Sequence, residues 1–283
     1  FLVDKVVKNS RVYAFLIGVM GASVIVLSPW LLSWPGWFWL AINMFVGAAF
    51  VAALVFMFEA LKKGEASRIT VIIGGIVPVF TIAWSSLVFK EYFSIQQWLG
   101  IAFLLAGTFA IAAISGENGR GRISRQAFAL ACLSSFFYAV SFLGTKYAYD
   151  AQGFWSPFIW IKLGSGLAAL FLLIRHQNRR DIREAILGKK DSPKGKKDGR
   201  GGLVIINQVL GAAGSILQSY AISFGSVAII NALQGVQYAF LLIIGWMLTV
   251  FRPDIIKENI QRVILIKKFI AVILVSLGLY FII

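Results

Sequence analysis

Long apolar stretches alternate with short polar gaps along the whole chain. A stretch of roughly 20 apolar residues crosses the ~30 Å hydrocarbon core of a bilayer as a helix. Nine such stretches predict helices at about 12–33, 37–58, 69–89, 97–115, 127–148, 154–174, 203–224, 227–250 and 264–283. The fold class expected from this pattern is an all-α polytopic membrane protein.

Charge gives these helices a direction. The chain is 59% hydrophobic and only 14% charged, yet its formal net charge is +15. Twenty-four of its 27 Lys and Arg residues fall in alternate gaps. Those gaps hold Lys5, Lys8 and Arg11; then Lys62, Lys63 and Arg68; then Arg120, Arg122 and Arg125. The gap at 175–202 runs from Arg175 to Arg200, and the last holds Arg252, Lys257, Arg262, Lys267 and Lys268. The intervening gaps contain only Lys90, while Lys146 and Lys162 lie within helices. Basic loops collect on the cytoplasmic side, so the C-terminus is expected outside. The predicted location is a multi-pass position in the plasma or inner membrane. Dispersal of the charge into short loops argues against a nucleic-acid partner.

Trp30, Trp34, Trp37 and Trp39 crowd the non-basic turn at Pro35, as aromatic rings do at headgroup depth. The 175–202 loop reads either as a solvated, topology-setting segment or as a contact for anionic lipid. It is polar, rich in Gly and Lys, and expected to be mobile.

The two halves of the chain echo each other. Phe1-Leu-Val-Asp-Lys5 resembles Phe142-Leu-Gly-Thr-Lys146. Ala60 and Gly64 recur in the same spacing as Ala221 and Gly225, Gly74 then falls on Gly235, and Gly107 pairs with Gly278. Two five-helix repeats are expected, a first at 1–116 and a second at 127–283 that carries the basic loop. Five helices are an odd number, so the second copy enters from the opposite side, and the repeats are inverted. The opening residues then read as the tail of a missing first helix, leaving nine complete transmembrane helices. Inverted repeats are characteristic of alternating-access transporters.

The stretch from Glu59 to Ala112 carries a resemblance to a known family. It reads Ala60-Leu-Lys-Lys-Gly-Glu-Ala-Ser67, then Pro78-Val-Phe, Phe89-Lys-Glu91, Gln97-Trp-Leu-Gly100 and Ala106-Gly107. This resembles the repeat unit of the drug/metabolite transporter superfamily, EamA type. The second half matches less closely, with Gln234-Gly-Val-Gln-Tyr238 where the Pro segment would stand and Glu258 in place of Glu91. The resemblance implies ten helices, a central cavity and transport of small metabolites, and it places Lys162 near a basic position of the family.

Polar groups inside apolar helices face the bundle interior or water. Gly74, Pro78, Thr81 and Ser85 share one helical face, with Pro78 able to kink the helix and free a carbonyl. Gln208, Gly211, Ser215 and Gln218 share another, and Asn231, Gln234 and Tyr238 a third, with Gln237 beside them. These side chains, with Asn43, are candidates for a substrate pathway; the small members serve equally well as helix-packing contacts. Lys146 either snorkels to the interface or meets an anionic substrate. Lys162 lies too deep to snorkel easily and is a candidate for substrate contact. Glu59 either couples a proton or pairs with Lys62 or Lys63. Glu91 either anchors its helix end or takes part in coupling.

Other chemistry is not signalled. His176 is the single histidine, in the basic loop, and Cys132 is the single cysteine, inside an apolar run. No metal cluster, cofactor motif, nucleophile–base pair or phosphate-cradling Gly loop is expected. The reading is therefore a transporter and not an enzyme, taking an uncharged or mixed polar ligand with some anion tolerance. A lipid-linked substrate flippase of the same fold and a non-transporting scaffold subunit stay open as alternatives. The partners expected are a small-molecule substrate and the bilayer, with a homodimer also open.

Overall fold

The computed structural model describes residues 10–64, 66–115, 124–174, 200–233 and 262–282, together with positions 236, 237, 240, 244 and 247. Among the described residues the regular structure is helical and contains no strand. In chain order the elements begin with α1 (Ser10–Ala22), a 3-10 segment (Ser23–Leu27) and the single turn α2 (Ser28–Leu31). Next come α3 (Trp37–Lys63), α4 (Ala66–Trp84) with a π turn (Ser85–Phe89), and α5 (Ile95–Ser115). They continue with α6 (Arg125–Gln152), α7 (Trp155–Phe171) with a 3-10 end (Leu172–Ile174), α8 (Arg200–Phe224), α9 (Val227–Ala232) and α10 (Arg262–Ile282).

Helix ends follow from local chemistry. Gly36, at φ 83°, turns the chain after Pro35 and lets α3 start. Lys62 and Lys63 place positive charge in the last turn of α3, where the helix dipole favours it. Ser94 and Gln97 form a reciprocal capping box at the start of α5. The Gln97 N–H donates to Ser94 Oγ at 3.2 Å, and the Ser94 N–H donates to Gln97 Oε1 at 2.9 Å. Ser94→Ala should lower stability by about 1 kcal/mol, while Ser94→Asp should restore it. Thermal unfolding in detergent checks this; an unchanged midpoint in Ser94→Ala would show that the end of α5 is fixed by other contacts. Ser124 caps α6, its Oγ accepting from the Ala127 N–H. Gly153, at φ 77°, closes α6 as its N–H donates to the Tyr149 carbonyl at 2.9 Å.

Three described segments are long and apolar enough to cross a membrane: Trp37–Lys63, Ile72–Phe89 and Arg125–Gln152. Ala14–Val26 and Ile95–Ala110 are shorter apolar helices. Large apolar side chains lie exposed along these elements, among them Phe45, Val79, Leu99 and Phe128. A polytopic membrane protein shows this pattern, because lipid rather than protein covers the outer faces.

The chain forms two compact units. The first comprises 1–58 and 140–225, the second 59–139 and 226–283, so each draws on both halves of the sequence. In the first unit α7 packs closely against α1 and α3 through glycines. A Cβ on Gly164 would lie 2.8 Å from Met44 Cα, and one on Gly18 would lie 2.6 Å from Ala169 Cβ. The Ser165 hydroxyl donates to the Gly47 carbonyl at 3.2 Å across the α3–α7 contact. Ser141 of α6 donates to the Val46 carbonyl of α3 at 3.2 Å. Small residues and hydroxyls of this kind bind helices together where water is absent.

In the second unit α10 lies along α5. A Cβ on Gly278 would lie 2.9 Å from the Gly100 carbonyl oxygen, and Phe103 stacks on Phe281 at 5.8 Å. Ile82, Ile101, Leu104, Ala228, Ala232 and Val275 form the buried core that joins α4, α5, α9 and α10.

Candidate functional site

The most unusual side chain of the first unit is Lys162. It lies seven residues after the start of α7, roughly 10 Å along the helix. Its ammonium donates to Ser215 Oγ of α8 at 3.0 Å. The ammonium also sits 5.6 Å from the Phe50 ring centroid and 5.5 Å from that of Phe158. Both rings lie within cation–π range. Gly21 of α1 leaves room for the lysine stem, since a Cβ there would meet Lys162 Cδ at 3.6 Å.

Among the described residues of this unit the only carboxylate is Asp150. Asp150 is engaged by Lys146, at 2.9 Å, one helical turn earlier on α6. Lys146 also donates to the Ser223 carbonyl in the last turn of α8, at 3.3 Å. A cation at a helix C-terminus opposes the partial negative charge there. Lys146 is thus placed to tie α6 to the end of α8. Lys162, by contrast, has no described carboxylate to balance it. A single ion in a membrane interior is costly without compensation.

Among the described residues nothing covers the α8 face around Gly211 and Gly214. No described atom would lie within 4 Å of a Cβ on Gly211 or Gly214, and Gly211 is one turn before Ser215. Gln218, one turn after Ser215, is half-buried. An aromatic wall continues from Phe158 to Phe154 at 5.2 Å, and from Phe154 to Tyr149 and Tyr220, each at 5.2 Å. Elsewhere in the unit Asn43 is fully buried. Its Nδ2 donates to Gln152 Oε1 at 3.5 Å, while its Oδ1 has no partner among the described residues.

The second unit holds the remaining described candidates. Pro78 sits inside α4, removing one backbone donor and freeing the Gly74 carbonyl from its helical partner. Thr81 is fully buried and donates to the Pro78 carbonyl at 3.0 Å. Ser85 and Asn231 are also fully buried, and Ser85 Oγ and both side-chain polar atoms of Asn231 lack partners among the described residues. Gln237 is exposed.

Glu91 follows the π turn and Lys90, whose φ is 53°. Its Oε2 accepts a 2.6 Å hydrogen bond from Ser226 Oγ, the residue that precedes α9. Glu59 and Lys62 pair at 3.5 Å near the end of α3, both partly exposed. An exposed pair of this kind contributes at most about 1 kcal/mol. Gln234 and Tyr238 lie outside the described residues, as do the side chain of Gln208 and most of the 175–202 loop.

Sequence alone does not mark several of these partners. Phe50 and Phe158 carry no polar signal, and Ser226 lies in the short gap between α8 and α9. Asp150 was legible as an i, i+4 partner of Lys146, but it lay beyond the helix end expected at 148.

This architecture defines a polytopic helical membrane protein. Residues 1–113 match the model of the EamA-like transporter family, a family of membrane transporters of the drug/metabolite type and not of enzymes. The resemblance carried by the Glu59–Ala112 motifs is thereby borne out. A solved crystal structure, described only as that of a protein, aligns with a TM-score of 0.65 at 16% identity. The alignment covers 99% of this chain and 88% of that one, and it shows a shared fold. No curated protein matches the chain.

Proposed function

We propose that the protein is a secondary transporter of the plasma or inner membrane. It moves a small metabolite or amphipathic compound by alternating access. The observation that carries this reading is the Lys162–Ser215 pair, a cation and a hydroxyl held together between apolar helices, beside a glycine face that no described residue covers. Such a polar point has a purpose where a solute must leave water and bind. The EamA-like match over the first 113 residues supports transport over a purely structural role.

Under this proposal the repeats at 1–116 and 127–283 are inverted copies, and the basic loops face the cytoplasm. Asn43 and Gln218 of the first unit belong to the pathway with Lys162 and Ser215, and the buried polar groups Thr81, Ser85 and Asn231 are separate candidates within the second unit. Glu59 already has a cationic neighbour and Glu91 a hydroxyl donor, so facilitated exchange is preferred to proton coupling. The test is uptake of a complex metabolite mixture by proteoliposomes, read by mass spectrometry with and without an inward proton gradient. Protein-dependent enrichment of one chemical class, independent of the gradient, is the expected result. No enrichment by folded protein in neutral lipid would refute transport of soluble compounds and favour a lipid-linked substrate or a scaffold role.

A further inference from the structure

We infer that Lys162 and Ser215 form an oxyanion site, and that the cargo is a small organic molecule bearing a carboxylate or phosphate group. This inference deepens the transport reading and rests on it for the word cargo; the binding site itself stands on geometry alone.

The first argument is charge balance. Lys162 lies between apolar helices, and the single described carboxylate of its unit is held by Lys146. A lysine that stays charged between apolar helices is stabilised by a nearby anion, and a binding lysine receives that anion with its ligand. The second is donor count. An ammonium has three N–H donors, and Ser215 Oγ is the only hydrogen-bond acceptor that Lys162 meets among the described residues. Ser215 accepts from Lys162, so its own O–H is turned away from the ammonium and donates to no described acceptor. Among the described residues two N–H groups and one O–H thus lack an acceptor, and an oxyanion beside Nζ and Oγ would supply one through charge-assisted bonds.

The third argument is shape. Phe50 and Phe158 flank the ammonium, and their faces offset part of its desolvation without supplying a hydrogen bond. The aromatic wall from Phe158 through Phe154 to Tyr149 and Tyr220 adjoins the charge with apolar surface. An inorganic ion would gain nothing from that wall, whereas an organic body would bury against it. Gly211 leaves space on the Ser215 side of α8 for such a body.

The same oxyanion could arrive on a soluble metabolite or on a lipid headgroup. The experiment uses the full chain in phosphatidylcholine nanodiscs and measures binding of benzoate, phenyl phosphate, benzamide, benzylamine and inorganic phosphate. A parallel arm replaces the soluble probes with short-chain phosphatidylglycerol. Benzoate or phenyl phosphate should bind more tightly than benzamide or benzylamine, and Lys162→Gln should weaken that binding roughly 10- to 100-fold. Lys162→Arg should keep much of it. Should Lys162→Gln fail to fold, Ser215→Ala takes its place, with an expected loss of about 3- to 10-fold.

Lys162-dependent binding confined to phosphatidylglycerol would support the oxyanion site and assign it to a lipid headgroup. Equal binding of benzoate and benzamide, binding unchanged in Lys162→Gln, or no anion binding by folded protein would each overturn the proposal. Uptake of neutral solutes at the same rate in wild type and Lys162→Gln would also overturn it, while leaving the transport reading intact. Lys162-dependent anion binding without uptake of any solute would support the site and refute transport.

Discussion

Gly47→Ala should strongly destabilise the first unit. A Cβ at this position would overlap the Ile161 carbonyl oxygen and lie 2.5 Å from Ser165 N and 2.8 Å from Gly164 C. All three are backbone atoms of α7, so no side chain can rotate away. Helices α3 and α7 would have to separate, and the Ser165 hydroxyl would lose its 3.2 Å bond to the Gly47 carbonyl. Overpacking typically costs 1–3 kcal/mol, and the lost bond adds about 1 kcal/mol, so the total should be about 2–4 kcal/mol. The readout is the monodisperse yield and thermal midpoint of the purified protein in detergent. A midpoint within a degree or two of wild type would show that the α3–α7 contact is looser than described.

Gly211→Leu should do the opposite, keeping the fold and stopping transport. No described atom lies within 4 Å of a Cβ there, and the leucine improves helix propensity by roughly 0.5–1 kcal/mol over glycine. Yet its side chain would fill the face of α8 one turn from Ser215, where the organic part of a ligand is proposed to lie. Uptake should fall about tenfold or more, as steric exclusion costs a bound ligand more than 1.4 kcal/mol. The measurement is initial uptake rate per folded molecule, alongside the thermal midpoint. Wild-type uptake in a folded Gly211→Leu protein would mean that this face meets lipid and not substrate. The two glycines are alike in sequence and differ only in what surrounds them.

That contrast shows where sequence legibility stops. The apolar runs overlap the described helices, but the stretch expected as one helix at 12–33 is broken by the 3-10 segment Ser23–Leu27, and the helix expected to end at 58 runs on to Lys63. Three described segments are long and apolar enough to cross a bilayer. The runs also placed Thr81, Ser85, Asn43 and Asn231 on interior faces, and all four are fully buried. The expected helix at 127–148 runs on to Gln152, since Asp150 pairs with Lys146 and Gly153 supplies the closing turn. The expected helix at 69–89 closes with a π turn, which changes backbone pairing without changing the apolar pattern.

Pairings between helices were the least legible. Lys162 and Ser215 are 53 residues apart, and nothing in the periodicity of α7 or α8 sets their register. Glu91 and Ser226 are 135 apart, and their contact depends on how α4 and α9 pack. Lys146 meets Asp150 on its own helix and the Ser223 carbonyl of α8, and the second contact is set by helix packing that the sequence pattern does not reveal. Exposure of Gln237 separates it from the buried Asn231, although the two share a short stretch of sequence.

The most direct test of the transport reading is a time course of metabolite uptake into proteoliposomes. It compares wild type, Gly211→Leu and protein-free vesicles in the same phosphatidylcholine lipid. The account predicts saturable enrichment of one chemical class in wild-type vesicles, falling to near the protein-free level in Gly211→Leu. Equal lumenal contents in all three, with both proteins shown to be folded, would contradict it.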